Sequence, residues 1–296
     1  MIENELLRKC NIIPTGYKKL NSATLVSTKN NKFIFKKDKN DVDKIFTYLE
    51  SRNFNYFPKS FRESNYDVYE YIEDLSISKE EKALDLINLV SLLHTKTTHY
   101  KNIDIDDYKV IYEEIDKKLN ELLEYYLTLN DYIDSEVFMS PSSYLLARNI
   151  SKIYALIDYL KNELSSWYDL IKEKDKQRVT LIHNNLELNH LLRNTNSYLI
   201  SWDNAKFDIP VYDLYKLYKK NYKDIDFSVL LNEYENRYPL LEEEKKLLFI
   251  LISIPNKLEL NNNEYNNTKK VKELLDYIYK TDKIISPYYS NQNKEE

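Results

Sequence analysis

Glycine is almost absent from this chain: among 296 residues, Gly16 is the only one. Glycine lets a backbone approach a phosphate group closely, because it tolerates positive φ and has no Cβ. A chain with a single glycine cannot contain the glycine-rich loops that bind dinucleotides, or the Walker loop that surrounds phosphates. Any phosphate-binding site must therefore be built from other residues.

Cysteine is equally scarce, since Cys10 is the only one, and no intramolecular disulfide can form. The first ten residues are charged and lack the apolar core of a signal peptide. The longest apolar run, residues 247–254, is far too short to cross a bilayer. These absences predict a cytoplasmic protein with no membrane partner.

An excess of charge of one sign is also missing. The chain has 43 basic and 48 acidic side chains, for a net charge of -5. A nucleic-acid-binding protein usually has a basic balance or a basic stripe, so we expect no nucleic-acid partner. The hydrophobic share of 43% is enough for a sizeable core.

The sequence divides into two regions that differ in the period of their hydrophobic pattern. Residues 11–74 have the pattern of a small lobe that combines a sheet with one helix. The helix is expected to begin after a cap at Asn40 or Asp41. The predicted elements are two strands within 24–39 around a "KNN" turn, a helix within 40–53, and a third strand within 66–74.

From residue 75 onward the period is helical, which predicts a helical lobe over 75–285 and a disordered tail over 286–296. Ser78 and Glu81 have the spacing of a capping box, and Ser140 is predicted to cap a further helix. The predicted helices lie within 76–97, 107–129, 140–164, 166–174, 211–220, 227–238, 241–254 and 268–280.

Five segments follow one another along the chain in a recognisable order. They are "FIFKK" (33–37), "VYEYIED" (68–74), "LINLVSLLHTKT" (86–97), "HNNLELNH" (183–190) and "LISWDNAKFDIPVYDL" (199–214). Together they resemble the corresponding segments of aminoglycoside phosphotransferases and choline kinases. The resemblance covers residues 15 to about 220 and is closest to CotS-like spore-coat proteins of Firmicutes. It implies an α+β, two-lobed protein-kinase-like fold with a small sheet-bearing N-lobe and a larger, mainly helical C-lobe.

The resemblance also assigns positions in the catalytic loop, and there the sequence departs from the family. The family carries His-Gly-Asp-x-x-x-x-Asn where this chain has "HNNLELNH", and Ile-Asp-Trp-Glu where it has "ISWD". The implied positions are His183 for the opening histidine, Asn185 for the catalytic base, His190 and Ser201 for the two metal ligands, Asp203 for a further acidic residue, and Pro210 and Asp213 for the structural end of the motif.

These departures remove the groups on which phosphoryl transfer depends. A carboxylate orients the acceptor hydroxyl and takes its proton, whereas the amide of Asn185 can orient but cannot accept a proton. Magnesium prefers oxygen ligands, commonly carboxylates. Ser201 offers a neutral oxygen, and His190 offers a nitrogen that magnesium disfavours.

In the small lobe, the resemblance implies that Lys36 or Lys37 contacts phosphate, and the strand pleat requires one of the two to face the groove. The helix partner of this lysine is Asp43 or Glu50, and the sequence does not choose between them. The linker segment implies cofactor-binding positions that include Glu70 and Ile72.

The remaining histidines have structural explanations. We expect His94 to end a core helix, His99 to lie at the surface, and His183 to hold the loop by hydrogen-bonding its backbone. His190 is either a transition-metal ligand or an ordinary loop residue. Asp203 is either a residual metal ligand or a loop hydrogen-bond acceptor. Two further carboxylates, Asp208 and Asp213, are expected to accept backbone N–H groups near helix N-termini.

The leading hypothesis is a pseudokinase that serves as a binding or scaffolding module, set in the forespore or spore coat if the CotS-like resemblance reflects location. One alternative is an active ATP-dependent small-molecule phosphotransferase in which Asp203 replaces a lost ligand. The other is a sensor that binds ATP without turnover. The expected cofactor is none or weakly bound ATP, with Mg²⁺ only in the active alternative. The expected partner is a protein or small-molecule ligand that the sequence does not identify.

Overall fold

The computed structural model describes residues 4–20, 23–37 and 42–292. The predicted cap residues Asn40 and Asp41 therefore lie outside the described residues. Among the described helices, none is both long and apolar enough to span a bilayer.

The described elements follow one another in chain order. They are α1 (Asn4–Lys9), β1 (Gly16–Lys19), β2 (Ala23–Ser27), β3 (Lys32–Lys37), α2 (Val42–Ser51), β4 (Ser60–Glu63), β5 (Tyr66–Glu70), α3 (Lys79–Thr97), β6 (His99–Asn102), α4 (Ile105–Asp134), α5 (Pro141–Ala147), α6 (Ile150–Lys172), β7 (Lys176–Ile182), β8 (Leu191–Arg193), β9 (Ser197–Leu199), β10 (Lys206–Asp208), α7 (Val211–Asn221), α8 (Phe227–Arg237), α9 (Glu242–Ser253) and α10 (Glu264–Gln292). Short 3₁₀ turns occupy Leu188–His190 and Trp202–Asn204.

The N-terminal region forms an antiparallel sheet in the order β1-β2-β3-β5-β4. The sequence predicted the three inner strands but neither edge strand. β1 and β4 present mostly exposed or half-buried residues, so they carry no apolar alternation. Edge strands with polar, exposed side chains are typical of sheets that avoid pairing with other chains.

The inner strands alternate as their pattern predicts. Phe35 of β3 is buried in a core with Val26 of β2, Val68 of β5, and Leu6 and Leu7 of α1. The neighbouring β3 residues therefore point to the opposite face of the sheet. This alternation decides which lysine of "FIFKK" faces the functional region.

The chain forms two compact units, Met1–Thr98 with Thr180–Tyr238, and His99–Val179 with Pro239–Glu296. The predicted boundary at residue 74 is not a boundary between these units. The segment after β5 is hydrogen-bonded to the β8–β9 hairpin, since Arg193 accepts a bond from the Leu75 N–H at 2.7 Å and donates its own N–H to Asp74 at 2.7 Å. The sheet therefore belongs to the same unit as the 180–238 segment.

In the first unit, the helix caps follow the sequence. The Ser78 side chain accepts a hydrogen bond from the Glu81 N–H at 3.1 Å, as the capping-box spacing predicts. Within the same unit, β10 pairs with the last residues of β7.

The second unit is mainly helical, and the predicted helices over 140–164 and 166–174 are wrong in two respects: α6 runs without a break through residue 165 to Lys172, and the first prediction spans two helices. Ser140 caps α5, as expected, but that helix ends at Ala147 and α6 begins at Ile150. The break occurs at Asn149, whose side chain bonds the Leu145 carbonyl at 2.9 Å and so competes with the helical backbone.

The predicted disordered tail is also wrong over part of its length. α10 continues to Gln292, and residues 293–296 lie outside the described residues. The helix continues past residue 285 because its apolar face still has a neighbour: the rings of Tyr288 and Phe249 are 5.0 Å apart.

Candidate functional site

Lys36 is placed by the pleat of β3. Because Phe35 points into the core, Ile34 and Lys36 share the opposite face and line a cavity. Lys37 is exposed and does not line this cavity. Of the two lysines that the sequence left open, Lys36 is therefore the one beside the site.

The cavity lies within the first unit and has a volume of about 510 Å³. This is within the size range of small-molecule sites. Its walls come from the sheet, the segment after β5, and the 187–202 segment. The predicted positions that line it are Lys36, Glu70, Ile72, His190 and Ser201.

Lys36 forms an ion pair with Asp203, and both side chains are partly buried. Neither predicted helix partner contacts it in this way. Asp43 is instead 4.0 Å from the guanidinium of Arg62, and Glu50 is exposed near the end of α2. The prediction of Asp43 or Glu50 as partner is wrong, because a carboxylate 167 residues away in sequence takes that place.

The loop over 183–190 is held from behind by a buried carboxylate. Asp213 accepts the backbone N–H groups of His183 at 2.8 Å and Asn184 at 2.6 Å. Its third donor is the Nε2 of His94 at 3.2 Å, and the Nδ1 of His94 accepts from the Tyr234 hydroxyl at 2.7 Å. His94 is thus a core residue, as expected, and His99 is exposed, as expected.

His183 is fully buried and makes the backbone bond that the sequence predicted. Its Nε2 donates to the Ile200 carbonyl at 2.8 Å, which joins the loop to the segment after β9. Its Nδ1 is buried without a hydrogen-bond partner among the described residues. Burial is the main reason that the pKa of His183 is lowered to about 4.

Asn184 occupies the position at which the resembling family has glycine. It adopts φ of 59°, in the left-handed region that asparagine tolerates better than most residues. Its side-chain nitrogen donates to the Asn204 carbonyl at 2.9 Å, and Lys216 donates to its oxygen atoms. Burial lowers the pKa of Lys216, and the nearby Lys206 and Lys220 lower it further.

Asn185 is placed on this loop but does not line the cavity. Its side-chain oxygen accepts a hydrogen bond from Lys220 at 2.7 Å. That oxygen is the atom on which a catalytic carboxylate would accept a proton. In this chain it is both an amide oxygen and already bonded to a cation.

His190 has both ring nitrogens engaged. Its Nδ1 is 2.6 Å from the Asn185 carbonyl and its Nε2 is 2.9 Å from a Glu187 oxygen. Burial is the main reason that the pKa of His190 is lowered. Because Nδ1 faces a carbonyl and Nε2 faces a carboxylate oxygen, neither nitrogen has a lone pair that is free to bind a metal in this arrangement.

Ser201 also takes a left-handed conformation, with φ of 68° and ψ of 49°. Such a conformation costs roughly 1–2 kcal/mol for an ordinary residue and is concentrated at functional sites. Ser201 lines the cavity two residues from Asp203, so it is placed where the sequence predicted.

The side chains at this site do not fit a magnesium ion. The set consists of the Ser201 hydroxyl, a histidine nitrogen that faces Glu187, and an Asp203 carboxylate that is paired with Lys36. Within the described residues, no group of three or more His, Cys, Asp or Glu side chains is arranged to hold a metal. Magnesium requires several free oxygen ligands in octahedral geometry.

The segment after β5 contributes Ile72 to the lining of the cavity. Glu70 also lines it. Neither the N–H nor the C=O of Ile72 has a hydrogen-bond partner among the described residues. These two backbone groups are therefore available to a ligand that reaches them.

Sequence reasoning missed the aromatic cluster behind the cavity. Trp202 is packed edge-on against Phe46, Phe54 and Phe57, and Phe46 stacks on Phe57 with ring centres 4.2 Å apart. The two phenylalanines Phe54 and Phe57, three positions apart, are the feature of the sequence from which this cluster could have been predicted. It also missed Lys216 and Lys220, which α7 places beside the loop from 32 and 35 residues away.

Comparisons with known proteins support the fold. No protein-family model matches the chain. Among solved structures, it is similar to an aminoglycoside phosphotransferase from Alicyclobacillus acidocaldarius subsp. acidocaldarius, with a TM-score of 0.67 at 9% identity over 97% of this chain and 96% of that one.

Two further structures agree. A spectinomycin phosphotransferase in complex with AMP gives a TM-score of 0.56 at 12% identity, over 92% of this chain and 94% of that one. A glucosamine kinase in complex with glucosamine, ADP and inorganic phosphate gives 0.56 at 10% identity, over 95% and 82%. The chain therefore has the two-lobed, protein-kinase-like α+β fold of these phosphotransferases, which confirms the predicted fold class.

Proposed function

We propose that this protein is a catalytically degenerate, phosphotransferase-like pseudokinase that serves as a binding or scaffolding module. The observation that carries the proposal is the ion pair between Lys36 and Asp203. In the resembling family, the lysine serves the phosphates and the acidic positions serve the metal. In this chain, the lysine and the remaining carboxylate neutralise one another.

The other three positions support the same conclusion. Asn185 cannot accept a proton, and loss of a catalytic base alone costs about 10²–10⁴-fold in rate. Ser201 and His190 do not supply the anionic oxygens that would hold magnesium. Because electrostatic stabilisation is usually the largest catalytic contribution, losing both metal ligands should cost more than losing the base.

Two alternatives remain distinct proposals. An active phosphotransferase would use Asp203 as a relocated metal ligand, which requires it to leave Lys36. A sensor that binds ATP without turnover would use the backbone of Ile72 and the apolar cavity walls. The ion pair favours the pseudokinase over the first, and the free backbone groups are what the second has in its favour.

The test is ATP turnover by the purified protein with Mg²⁺ or Mn²⁺, followed by ADP release, in the presence of aminoglycosides, choline or sugars. We expect no release above background. Steady metal-dependent ADP release by the unmodified protein would overturn the proposal and favour the active alternative.

The cause is tested by restoring the missing groups. The triple change Asn185→Asp, His190→Asn and Ser201→Asp should raise Mg²⁺-dependent ATP affinity, measured by isothermal titration, because it supplies carboxylates at the base and metal positions. A matched control is Asn204→Asp, which adds a carboxylate next to the site at a position with no predicted metal role. If both variants gain equally, the assigned positions are wrong.

The partner of the scaffold and its cellular setting extend this proposal. The CotS-like resemblance favours the forespore or spore surface. Microscopy of a fluorescently tagged copy through sporulation is the direct test, and a uniform signal in vegetative cytoplasm would contradict that setting.

A further inference from the structure

The connection between α4 and α5 exposes three consecutive apolar side chains, Val137, Phe138 and Met139, which we call the apolar loop. Val137 is 87% exposed and Phe138 is 91% exposed, and Met139 is exposed as well. Single apolar residues are ordinary on a protein surface, but a contiguous exposed patch marks an interaction site. The apolar loop therefore has the composition of a surface that a partner covers.

The carboxylates that precede the apolar loop lack cationic partners. Asp131, Asp134 and Glu136 form no ion pair among the described residues. One carboxylate oxygen of Glu136 is also buried without a hydrogen-bond partner in this part of the chain. An approaching cation would stabilise such carboxylates, whereas an anionic membrane surface would repel them. The partner of the apolar loop should therefore combine an apolar surface with a basic group.

A groove of about 740 Å³ lies in the same unit, between α6 and α10. Its apolar lining consists mainly of Leu156, Leu275, Ile278 and Ile285, with the rings of Tyr159 and Tyr279. The groove also reaches Ser253 at the end of α9, which is only 3% exposed and whose hydroxyl has no hydrogen-bond partner among the described residues. A segment bound in the groove would cover this apolar surface and can satisfy the hydroxyl.

Lys152 supplies the basic group of the α6–α10 groove. It lines the groove from the first turn of α6, donates to the Asn149 side chain at 3.1 Å, and has no carboxylate partner among the described residues. That first turn contains no acidic side chain, so the positive end of the helix adds to the charge of Lys152. Asp282 also lines the groove but does not pair with Lys152, and it accepts a hydrogen bond from the Ser286 hydroxyl at 3.1 Å.

From this complementarity we infer that a second copy of the chain inserts its apolar loop into the α6–α10 groove, with one of the carboxylates at 131–136 beside Lys152. Because each copy has both the loop and the groove, a two-fold symmetric dimer contains the contact twice. The inference is independent of the proposed function, since both surfaces lie outside the unit that contains the cavity beside Lys36. ADP release by the protein would leave it standing.

The first experiment is analytical ultracentrifugation of the full chain over about 1–300 µM, the range of a moderate protein–protein affinity. We expect a reversible equilibrium between monomer and dimer. A chain that stays monomeric over the whole range overturns the inference. So does a monomer that binds phosphatidylcholine vesicles through the apolar loop, because lipid would then be the occupant of that surface.

A loop variant and a matched control test the first half of the contact. Val137→Ser combined with Phe138→Ser should weaken the dimer at least about tenfold. The control is Val110→Ser combined with Tyr100→Ser, an exposed valine and an exposed aromatic residue of the same unit outside the loop and the groove. All four side chains are exposed, so both variants should keep the unfolding midpoint of the wild type. Equal weakening by the two variants contradicts the assignment of the loop.

A groove variant tests the second half. Ala155→Glu places a carboxylate in the groove at an exposed helical position, where it repels the acidic segment of the partner copy, and should weaken the dimer at least about tenfold. Ser165→Glu adds the same charge at an exposed position of α6 outside the lining and is the control. Equal weakening by these two changes contradicts the assignment of the groove.

The decisive test mixes the loop variant with the groove variant. The groove variant keeps an intact loop and the loop variant keeps an intact groove, so the mixture restores one of the two contacts. We expect mixed dimers that are weaker than the wild-type dimer but at least about tenfold tighter than either variant alone. A mixture that associates no better than its components overturns the pairing of the loop with the groove.

Discussion

The two sides of the 183–190 loop differ in how their charges are held. Behind the loop, Asp213 is fully buried and accepts three hydrogen bonds, from the backbone of His183 and Asn184 and from the ring of His94. In front of it, Asp203 is partly exposed and is paired with Lys36. Behind the loop, the buried carboxylate has three donors, whereas in front of the loop the carboxylate and the lysine pair with one another.

This difference separates the groups that hold the loop from the groups that line the cavity. The buried carboxylate serves folding, because two backbone N–H groups would otherwise be buried without partners. The side chains of Asn185 and Ser201 make no such bonds to the loop backbone, whereas the His190 ring donates to the Asn185 carbonyl at 2.6 Å. Substitutions at 185 and 201 should therefore leave the conformation of the loop unchanged.

The largest expected effect on stability comes from changing Asp213, the buried carboxylate behind the loop. Asp213→Asn should lower the free energy of unfolding by about 3 kcal/mol or more, because it leaves donors of the loop facing an amide in a buried site. Chemical denaturation of the variant and of Asp208→Asn measures it, and the control, at a half-buried carboxylate that accepts one backbone N–H, should change by less than about 1 kcal/mol. Similar losses in the two variants would remove the contrast between the two sides.

The next effect is a pH dependence that originates at His183. Its pKa is lowered to about 4 in the folded chain, against about 6.5 in an unfolded one. Between these values the unfolded state binds more protons than the folded state. The free energy of unfolding therefore has its full value above about pH 6.5 and falls by roughly 3 kcal/mol as the pH drops toward 4.

Denaturation midpoints between pH 7 and pH 4 measure this slope. His183→Gln should flatten it, whereas His99→Gln, at an exposed histidine, should leave it unchanged. A slope that is equally steep in the His183 variant would place its origin elsewhere.

A smaller effect is expected at Asn184, which joins the two sides. Asn184→Ala should cost about 1–2 kcal/mol, because alanine is strained at φ of 59° and loses the side-chain bond to Asn204. Asn184→Gly should be closer to neutral, since glycine tolerates that conformation. Thermal unfolding of the two variants compares them directly, and equal losses would show that the side-chain bonds, rather than the backbone, are what matters.

The smallest effect on stability is expected in front of the loop. Asp203→Asn should change the free energy of unfolding by about 1 kcal/mol or less, because a partly exposed ion pair contributes little. Denaturation curves of this variant beside Asp213→Asn complete the contrast. A loss near that of Asp213→Asn would mean that Asp203 is a structural residue and not a remnant of the site.

The sequence predicts this fold best where burial produces a regular spacing of apolar residues. The inner strands β2, β3 and β5 and most of the long helices carry apolar alternation or helical spacing, and the sequence predicts them; the exception is α6, which the sequence divides between two predicted helices. The edge strands β1 and β4 are largely exposed, so their sequences carry no such pattern. The break at Asn149 was hidden because a side chain, not the apolar pattern, ends the helix.

The candidate site is less predictable, for a different reason. A motif places residues along the chain, and so Ser201, His190 and Lys36 fall beside one cavity, as expected. Which charges pair across it is decided by tertiary contacts that no local pattern reports. The ion pair of Lys36 with Asp203 and the hydrogen bond from Lys220 to Asn185 are both tertiary contacts that the local sequence does not predict.

The left-handed positions of the chain have a consequence for protein engineering. Within the described residues, every positive-φ position is filled by a side-chain-bearing residue: Asn11, Asn53, Ser64, Asn184 and Ser201. Glycine would remove the backbone strain at each of these positions, but it would also raise the conformational entropy of the unfolded chain, which opposes folding. The balance favours replacement of the two serines, which tolerate this region less well than asparagine does. Replacement of Ser64 or Ser201 by glycine is therefore a route to higher thermal stability, and the backbone conformation identifies both positions.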